Sequence, residues 1–313
     1  MSLPTLNDVT AVDPVLQNFL VGFAQAENRF AALRAFPGVT VATPSGTFYK
    51  YTQKYWFVDG LEERAPGDHF ARRNVGVETD TYETAQWGLE YPVPDEVEAA
   101  NQAPLSIQQA GVRWLSQQSF IRKERAFGSA FMTTSVWATD NNSTTDWDDS
   151  GGLPITDVRT ASRTISQATG YSANSMVCGE IVFDALLVNP QVLGTMQYTN
   201  TVTMATREAL LAAVLGLDAL LVSRAIYNSA NIGQAATYAP VIDDDALVYY
   251  NNPGAGIFDV TAGKTFVWNA GGGAGSVRSY MEEQTDSTIL KHKEQWDQKL
   301  VSNALGYFFT DVV

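Results

Sequence analysis

Residues 47–81 read TFYKYTQKYWFVDGLEERAPGDHFARRNVGVETDT, and no other stretch constrains the fold as strongly. Between 48 and 57, Tyr49, Tyr51, Gln53, Tyr55 and Phe57 fall on one face, and Phe48, Lys50, Thr52, Lys54 and Trp56 on the other. Alternation with period two in aromatic and β-branched residues is the signature of a half-buried strand. A returning strand over 75–89 places Val75, Val77, Thr79, Thr81, Ala85, Trp87 and Leu89 on one side. An ordinary hairpin joins its strands with two residues. Here the tip takes about fifteen, a length usually reserved for functional loops. Two strands alone are marginal in water. The hairpin therefore needs support, either from its own domain or from a neighbouring molecule.

The tip Leu61-Glu62-Glu63-Arg64-Ala65-Pro66-Gly67-Asp68-His69-Phe70-Ala71-Arg72-Arg73 concentrates arginine in a chain of net charge −14. That acidic balance argues against a protein that grips nucleic acid, which needs a basic face. It is compatible with a container that must later release what it holds. The apolar share of 45% is enough to build a core. No apolar run approaches the ~20 residues of a membrane span. The first residues do not read as a secretory signal. The single cysteine, Cys178, excludes a disulfide scaffold and suits synthesis in a cytoplasm.

Ahead of the hairpin, residues 1–40 read as a polar arm with one helical candidate closed by Pro37-Gly38. After it, Pro92 and Pro94 are expected to end the sheet, and Pro104 suits the first turn of a helix. That helix runs unbroken to Thr133, roughly 28 residues or about 42 Å. Its apolar residues, among them Ile107, Trp114, Leu115, Phe120, Phe127 and Phe131, spread around the axis. Such a helix is contacted on several sides and acts as a spine. Residues 138–153 read as a linker. An amphipathic helix from Ile155 to Ala168, a short buried strand at 175–178, a helix over EIVFDALLVN ended by Pro190, and a helix at 206–216 follow. LDALLVSRAIYN, ALVYYNN and GKTFVWN read as strands. The tail is expected to be mostly extended, with a helix around 287–300 as the alternative.

Enzyme motifs are missing. The two histidines, His69 and His292, stand far apart, and no nucleophile elbow or phosphate-binding loop is present. Cys178 reads as a core thiol. DWDDSGGLPITD (146–157) follows the outline of a calcium loop, with Asp146, Asp148, Ser150 and Asp157 at ligand positions. Pro154, and Asp in place of a bidentate Glu, stand against it. Asp243-Asp244-Asp245 reads as a solvated turn. The residues predict no catalytic, cofactor or metal site.

Several segments resemble the major capsid protein of tailed bacteriophages, the Hong Kong 97-like fold. YKYTQKYWFVDGLEERAPG is similar to the family's tyrosine- and lysine-rich strand with its Arg-Ala-Pro-Gly tip. IRKERAF resembles the end of its spine helix. DVRTASRTISQATGYSANSMVCGEIVFDALLVNPQV resembles the opening of its axial domain, and LGLDALLVSRAIYNSA with DDDALVYYNNPG its later strands. The likeness covers about residues 35–270, in the family's order.

The resemblance implies an α+β fold. Its parts are an N-terminal arm (1–40), an extension-loop hairpin (41–92), a peripheral domain with the spine helix (93–150), an axial α/β domain (151–263), and return strands of the peripheral domain (264–313). It implies a shell of hexamers and pentamers that encloses double-stranded DNA without reading its sequence. Portal, scaffolding and decoration proteins would be its partners, no membrane is involved, and the virion is its location after synthesis in the host cytoplasm. The extension loop would lie across a neighbouring subunit through Tyr49, Tyr51, Tyr55, Trp56, Phe57, Arg64, Arg72 and Arg73. The arginines would meet acidic surface there. Lys50 and Lys54 are possible crosslink donors, but no partner asparagine stands out and no crosslink is expected. The alternatives are an encapsulin-like cellular container of the same fold, then an unrelated acidic α+β hydrolase, and for the hairpin a position on its own sheet with a solvated tip.

Overall fold

The computed structural model describes residues 25–50, 57–74, 76, 78–100, 107–142, 145–196, 207–231, 233–271 and 275–313. The expected arm helix falls mostly outside them. Two five-stranded sheets organise the chain, and one long helix touches both.

The first sheet orders β1 (Gly38–Val41), β11 (Gly263–Trp268), β13 (Ser287–Leu300) and β12 (Ser276–Glu282), with β4 (Ala85–Pro94) also paired to β13. The 14-residue β13 settles the tail as strand rather than helix. Isolated periodicity could not decide this, because one β13 face carries Leu290, His292, Glu294 and Trp296, which mix apolar and charged groups. Pro92 and Pro94 do not end the sheet. Both lie within β4, opposite Ile289 and Ser287. They are tolerated because β4, among the described residues, pairs with β13 alone and so lies at an edge, where a missing N–H costs least.

The second sheet orders β5 (Thr139–Asn142), β14 (Gly306–Thr310), β10 (Ala246–Tyr249), β6 (Ser175–Gly179) and β7 (Ala219–Ser223). β6 and β10 are buried throughout, so they read as continuous apolar runs without alternation. Around them pack α4 (Pro154–Thr169), α5 (Glu180–Val188), α6 (Pro190–Met196) and α7 (Arg207–Leu215). α4 buries Ile155, Val158, Ala161 and Ile165, the stripe expected from its period, and ends at Gly170 in the left-handed region (φ 76°). Pro190 both ends α5 and opens α6. Two segments depart from expectation. The segment read as a linker contains β5, whose polar residues are held by backbone bonds to β14 and carry no apolar signal. The segment 264–313 does not stay in one sheet: β14 crosses to the second and lies between β5 and β10, with Phe308 and Phe309 buried.

The spine helix α3 runs over Ile107–Phe131, after α1 (Ala32–Ala35) and α2 (Asp95–Ala100). It carries two stripes. Gly111, Leu115, Ser119 and Lys123 follow i, i+4 spacing toward the first sheet. Phe120, Glu124, Phe127 and Phe131 face the N-terminal segment and the second core. Gly111 marks the closest approach, because a Cβ there would come 2.6 Å from the Tyr91 ring.

Candidate assembly interface

The hairpin divides into a base and a tip. β2 (Ser45–Lys50) pairs antiparallel with β3 (Glu78–Glu83) from Ser45–Glu83 to Lys50–Glu78. Phe48 and Tyr82 turn inward onto Phe266 of β11, with ring centroids 5.2 and 4.6 Å apart. Each buried ring is worth about 1.5–3 kcal/mol. The base thus belongs to its own sheet, and the Phe48 face is the buried one.

At Thr84 the returning chain changes partner. The Thr84 N–H and hydroxyl both donate to the Pro44 carbonyl at 2.8 Å, and the Gln295 amide donates to the Thr84 carbonyl at 3.0 Å. From Ala85 onward the strand pairs with β13 instead of the hairpin. The returning strand is therefore two strands, which unbroken alternation through Thr84 concealed.

The opposite face is open. Tyr49 is half exposed and stacks on Phe258 at 6.4 Å. The loop carrying Phe258 is held by Lys264, whose buried ammonium donates to the carbonyls of Ile257 (2.9 Å) and Asp259 (2.7 Å). Burial pushes Lys264 down to about 8, with Asp259 opposing. Lys50 is ion-paired to Asp80, and this hydrogen bond leads the causes that hold the Asp80 carboxyl below its usual range. Tyr51, Tyr55, Trp56 and Lys54 lie outside the described residues. Phe57 is exposed and leans toward the end of α4, where a Cβ on Gly170 would sit 3.6 Å from its ring.

The tip, 58–74, is exposed apart from a half-buried Gly60. Its arginines are not equivalent. Arg64 lies 4.3 Å from the Phe70 ring centroid and donates to the Asp68 carbonyl at 3.0 Å. Arg73 pairs with Glu62 at 2.9 Å, bridging the two limbs. Arg72 is simply exposed. Leu61 (95% exposed) and Phe70 (74%) were not singled out in the sequence, although two large apolar side chains in a charged tip are themselves a signal.

Two buried polar centres fix the spine helix between the two sheets. Glu294 of β13 accepts from Ser119 and Lys123 of α3, both at 2.7 Å, with His292 Nε2 at 3.6 Å. Burial alone would raise its pKa, but His292 and Lys123 bring it down to about 2. On the other stripe Glu124, fully buried, accepts from the N–H groups of Ala31 (3.1 Å) and Ala32 (2.7 Å) and from the Ser223 hydroxyl (2.6 Å). It caps α1 and ties β7 to the spine. Burial raises its pKa, and the three donors oppose that shift. Its position on the Phe120–Phe127–Phe131 stripe was the sequence signal for it.

The acidic loop 146–157 does other work. Asp157 accepts from the Trp147 indole at 3.0 Å, and the Asn189 amide takes the carbonyls of Trp147 and Gly152. Among the described residues no cluster of three histidine, cysteine or acidic side chains could hold a metal ion. Cys178 is buried, its thiol pushed up to about 12 by desolvation.

Residues 134–258 match the family described as phage major capsid protein E. The major capsid protein of Burkholderia phage BcepMu is 24% identical over 233 residues, covering 71% of this chain and 72% of that protein. A phage-related protein from Bordetella bronchiseptica has the same fold, with a TM-score of 0.69 at 20% identity over 96% of this chain and 97% of that one. The capsid of cyanophage P-SCSP1u gives 0.63 at 12% identity, covering 92% and 88%, and the mature capsid of bacteriophage PhiM1 gives 0.57 at 13%, covering 89% and 86%. The encapsulin-like alternative is not favoured, because the matching family and the sequence relative are both phage capsid proteins. Sequence likeness to phage major capsid proteins through the second sheet and fold likeness along nearly the whole chain meet in one conclusion: the chain has the Hong Kong 97-like fold of phage capsid proteins.

Proposed function

We propose that copies of this chain close, as hexamers and pentamers, into the icosahedral shell of a tailed phage around double-stranded DNA, and that residues 57–74 reach across a neighbouring subunit. The observation that carries the loop assignment is its asymmetry. The base is locked onto its own sheet through Phe48 and Tyr82, while the tip presents Leu61 and Phe70 to solvent. Apolar side chains held out on a long charged arm fit a protein that buries them in its partner. In this reading the first sheet with α3 is the peripheral domain and the second sheet with α4–α7 the axial domain. β14 returns to the axial sheet.

The resemblance supplies portal, scaffolding and decoration proteins as further partners and the virion as the location. No described helix is long and apolar enough to cross a membrane. The proposed function includes no catalytic step. Confinement rather than adhesion holds the genome, in keeping with 20 basic against 34 acidic residues. Electron microscopy of the purified protein, with a duplex-DNA titration of free subunits, tests this. Closed shells and negligible DNA binding at physiological salt are expected. Sub-micromolar binding that survives that salt, with no shells, would overturn it.

A further inference from the structure

Alongside the N-terminal half of α3 runs an open groove of about 630 Å³. Val112, Val277 and Leu290 contribute apolar surface, and two exposed arginines, Arg113 of α3 and Arg278 of β12, also line it. β12 is an edge strand, bonded to β13 and, among the described residues, to no other strand. A groove with an apolar floor, two guanidiniums and an unpaired strand edge suits an extended segment that offers apolar side chains beside a carboxylate.

One limb of the loop tip has that chemistry. Leu61 is almost fully exposed, and Glu62 and Glu63 follow it. Glu62 is occupied by Arg73 within the tip, which leaves Glu63 as the carboxylate next to the apolar anchor. Arg64 is turned onto Phe70 and the Asp68 carbonyl, so Glu63 is not screened by the arginine next to it. Arg72 would be repelled by a rim of arginines. Charge thus decides which limb enters.

We infer that the tip of one subunit docks in the groove between α3 and β12 of a second copy, with Leu61 on the floor and Glu63 between Arg113 and Arg278. This rests on the proposed reach of the loop across a neighbour, and it replaces an acidic landing site for the arginines with a basic landing site for Glu63.

Disulfide trapping between copies tests it. Glu63→Cys and Arg278→Cys chains are prepared separately and mixed before assembly, with Tyr238→Cys as an exposed control on β9 (Tyr238–Pro240). The native Cys178 is buried and does not compete. Oxidation of the mixture should give a linked dimer on a non-reducing gel. Neither variant alone, nor Glu63→Cys with Tyr238→Cys, should give it. Absence of the dimer from well-formed mixed shells overturns the inference. If a cysteine variant does not assemble, a charge exchange decides: Glu63→Arg shells should be rescued by co-assembly with Arg113→Glu/Arg278→Glu chains, and no rescue overturns the inference. Replacing 58–74 by a short turn separates the two levels. Normal shells from that variant defeat the neighbour-reaching loop itself. Failed shells together with a missing dimer defeat only the groove.

Discussion

Lys123 and Glu124 are consecutive in the chain, yet they bond to different sheets. Lys123 meets Glu294 of the first at 2.7 Å, and Glu124 accepts from Ser223 of the second at 2.6 Å. Successive helical side chains diverge by about 100°, so one turn of α3 sets the angle between the two halves of the subunit.

Glu124→Ala should be among the most damaging single changes. It removes the acceptor of two α1 N–H groups and the Ser223 hydroxyl and leaves those donors buried. A loss of roughly 3 kcal/mol is expected. Glu124→Gln should cost less, since its carbonyl oxygen retains part of the acceptance. Urea midpoints of the unassembled subunit measure both. A change under ~0.5 kcal/mol for the alanine variant would remove Glu124 as the tie.

Acid should loosen α3 from the first sheet. The Glu294 carboxyl lies at about 2 when folded, below its ordinary value of 4.5. A depressed carboxylate adds stability above the unfolded value and loses it as pH falls through the folded one. The expected loss is roughly 2–3 kcal/mol between about pH 4.5 and 2. Glu294→Gln should flatten stability in that window. An unchanged acid limb in the variant would contradict the assignment.

Asp245 works in the opposite direction. Burial, with Asp244, Asp311 and Asp243 adding to it and the Asp311 N–H opposing, raises its carboxyl to about 6. A raised carboxylate favours the fold when protonated and costs stability as pH rises through the folded value. Asp245→Asn should therefore stabilise the subunit above pH 6 by roughly 1–2 kcal/mol, after allowance for its solvent contact. The two proteins should converge below about pH 4. Thermal melts at pH 4 and 7.5 check this.

Replacing 58–74 by a short Gly-Ser turn should leave subunit melting nearly unchanged and abolish stable shells. Reversal of Arg72 alone should leave monomer stability within ~0.5 kcal/mol, as for ordinary surface charges. Reversal of Arg73 also breaks its pair with Glu62 and should loosen the tip. Calorimetry and electron microscopy read the two effects separately. A large fall in subunit melting on truncation would mean that the tip packs within its own domain.

Much of this was readable from local pattern. The α4 stripe ends at Gly170 where its period and left-handed cap require, and β6, β10 and the spine helix fall where their apolar runs lie. What pattern could not supply was pairing. β5 has no apolar signal because it joins the sheet through backbone pairing with β14. The break at Thr84 hides inside continuous alternation because the strand keeps its pleat while changing partner. Two prolines in β4 mislead for a similar reason, since only the sheet order reveals an edge. The interface is harder still. Tyr49, Phe57, Leu61 and Phe70 present an exposed apolar surface, but the pattern of one chain does not name what covers it.

The change of partner at Thr84 has a mechanical meaning. Below it the loop shares hydrogen bonds with its own sheet, and the rings of Phe48 and Tyr82 pack on Phe266. The loop is thus a cantilever clamped at one end. Load applied at the tip is carried into β11 and β13 and does not prise apart the core around β6 and β10. A subunit built this way can be pulled into place by its neighbours, and the tip can drift in sequence to suit a new lattice, while the clamp and both cores stay as they are.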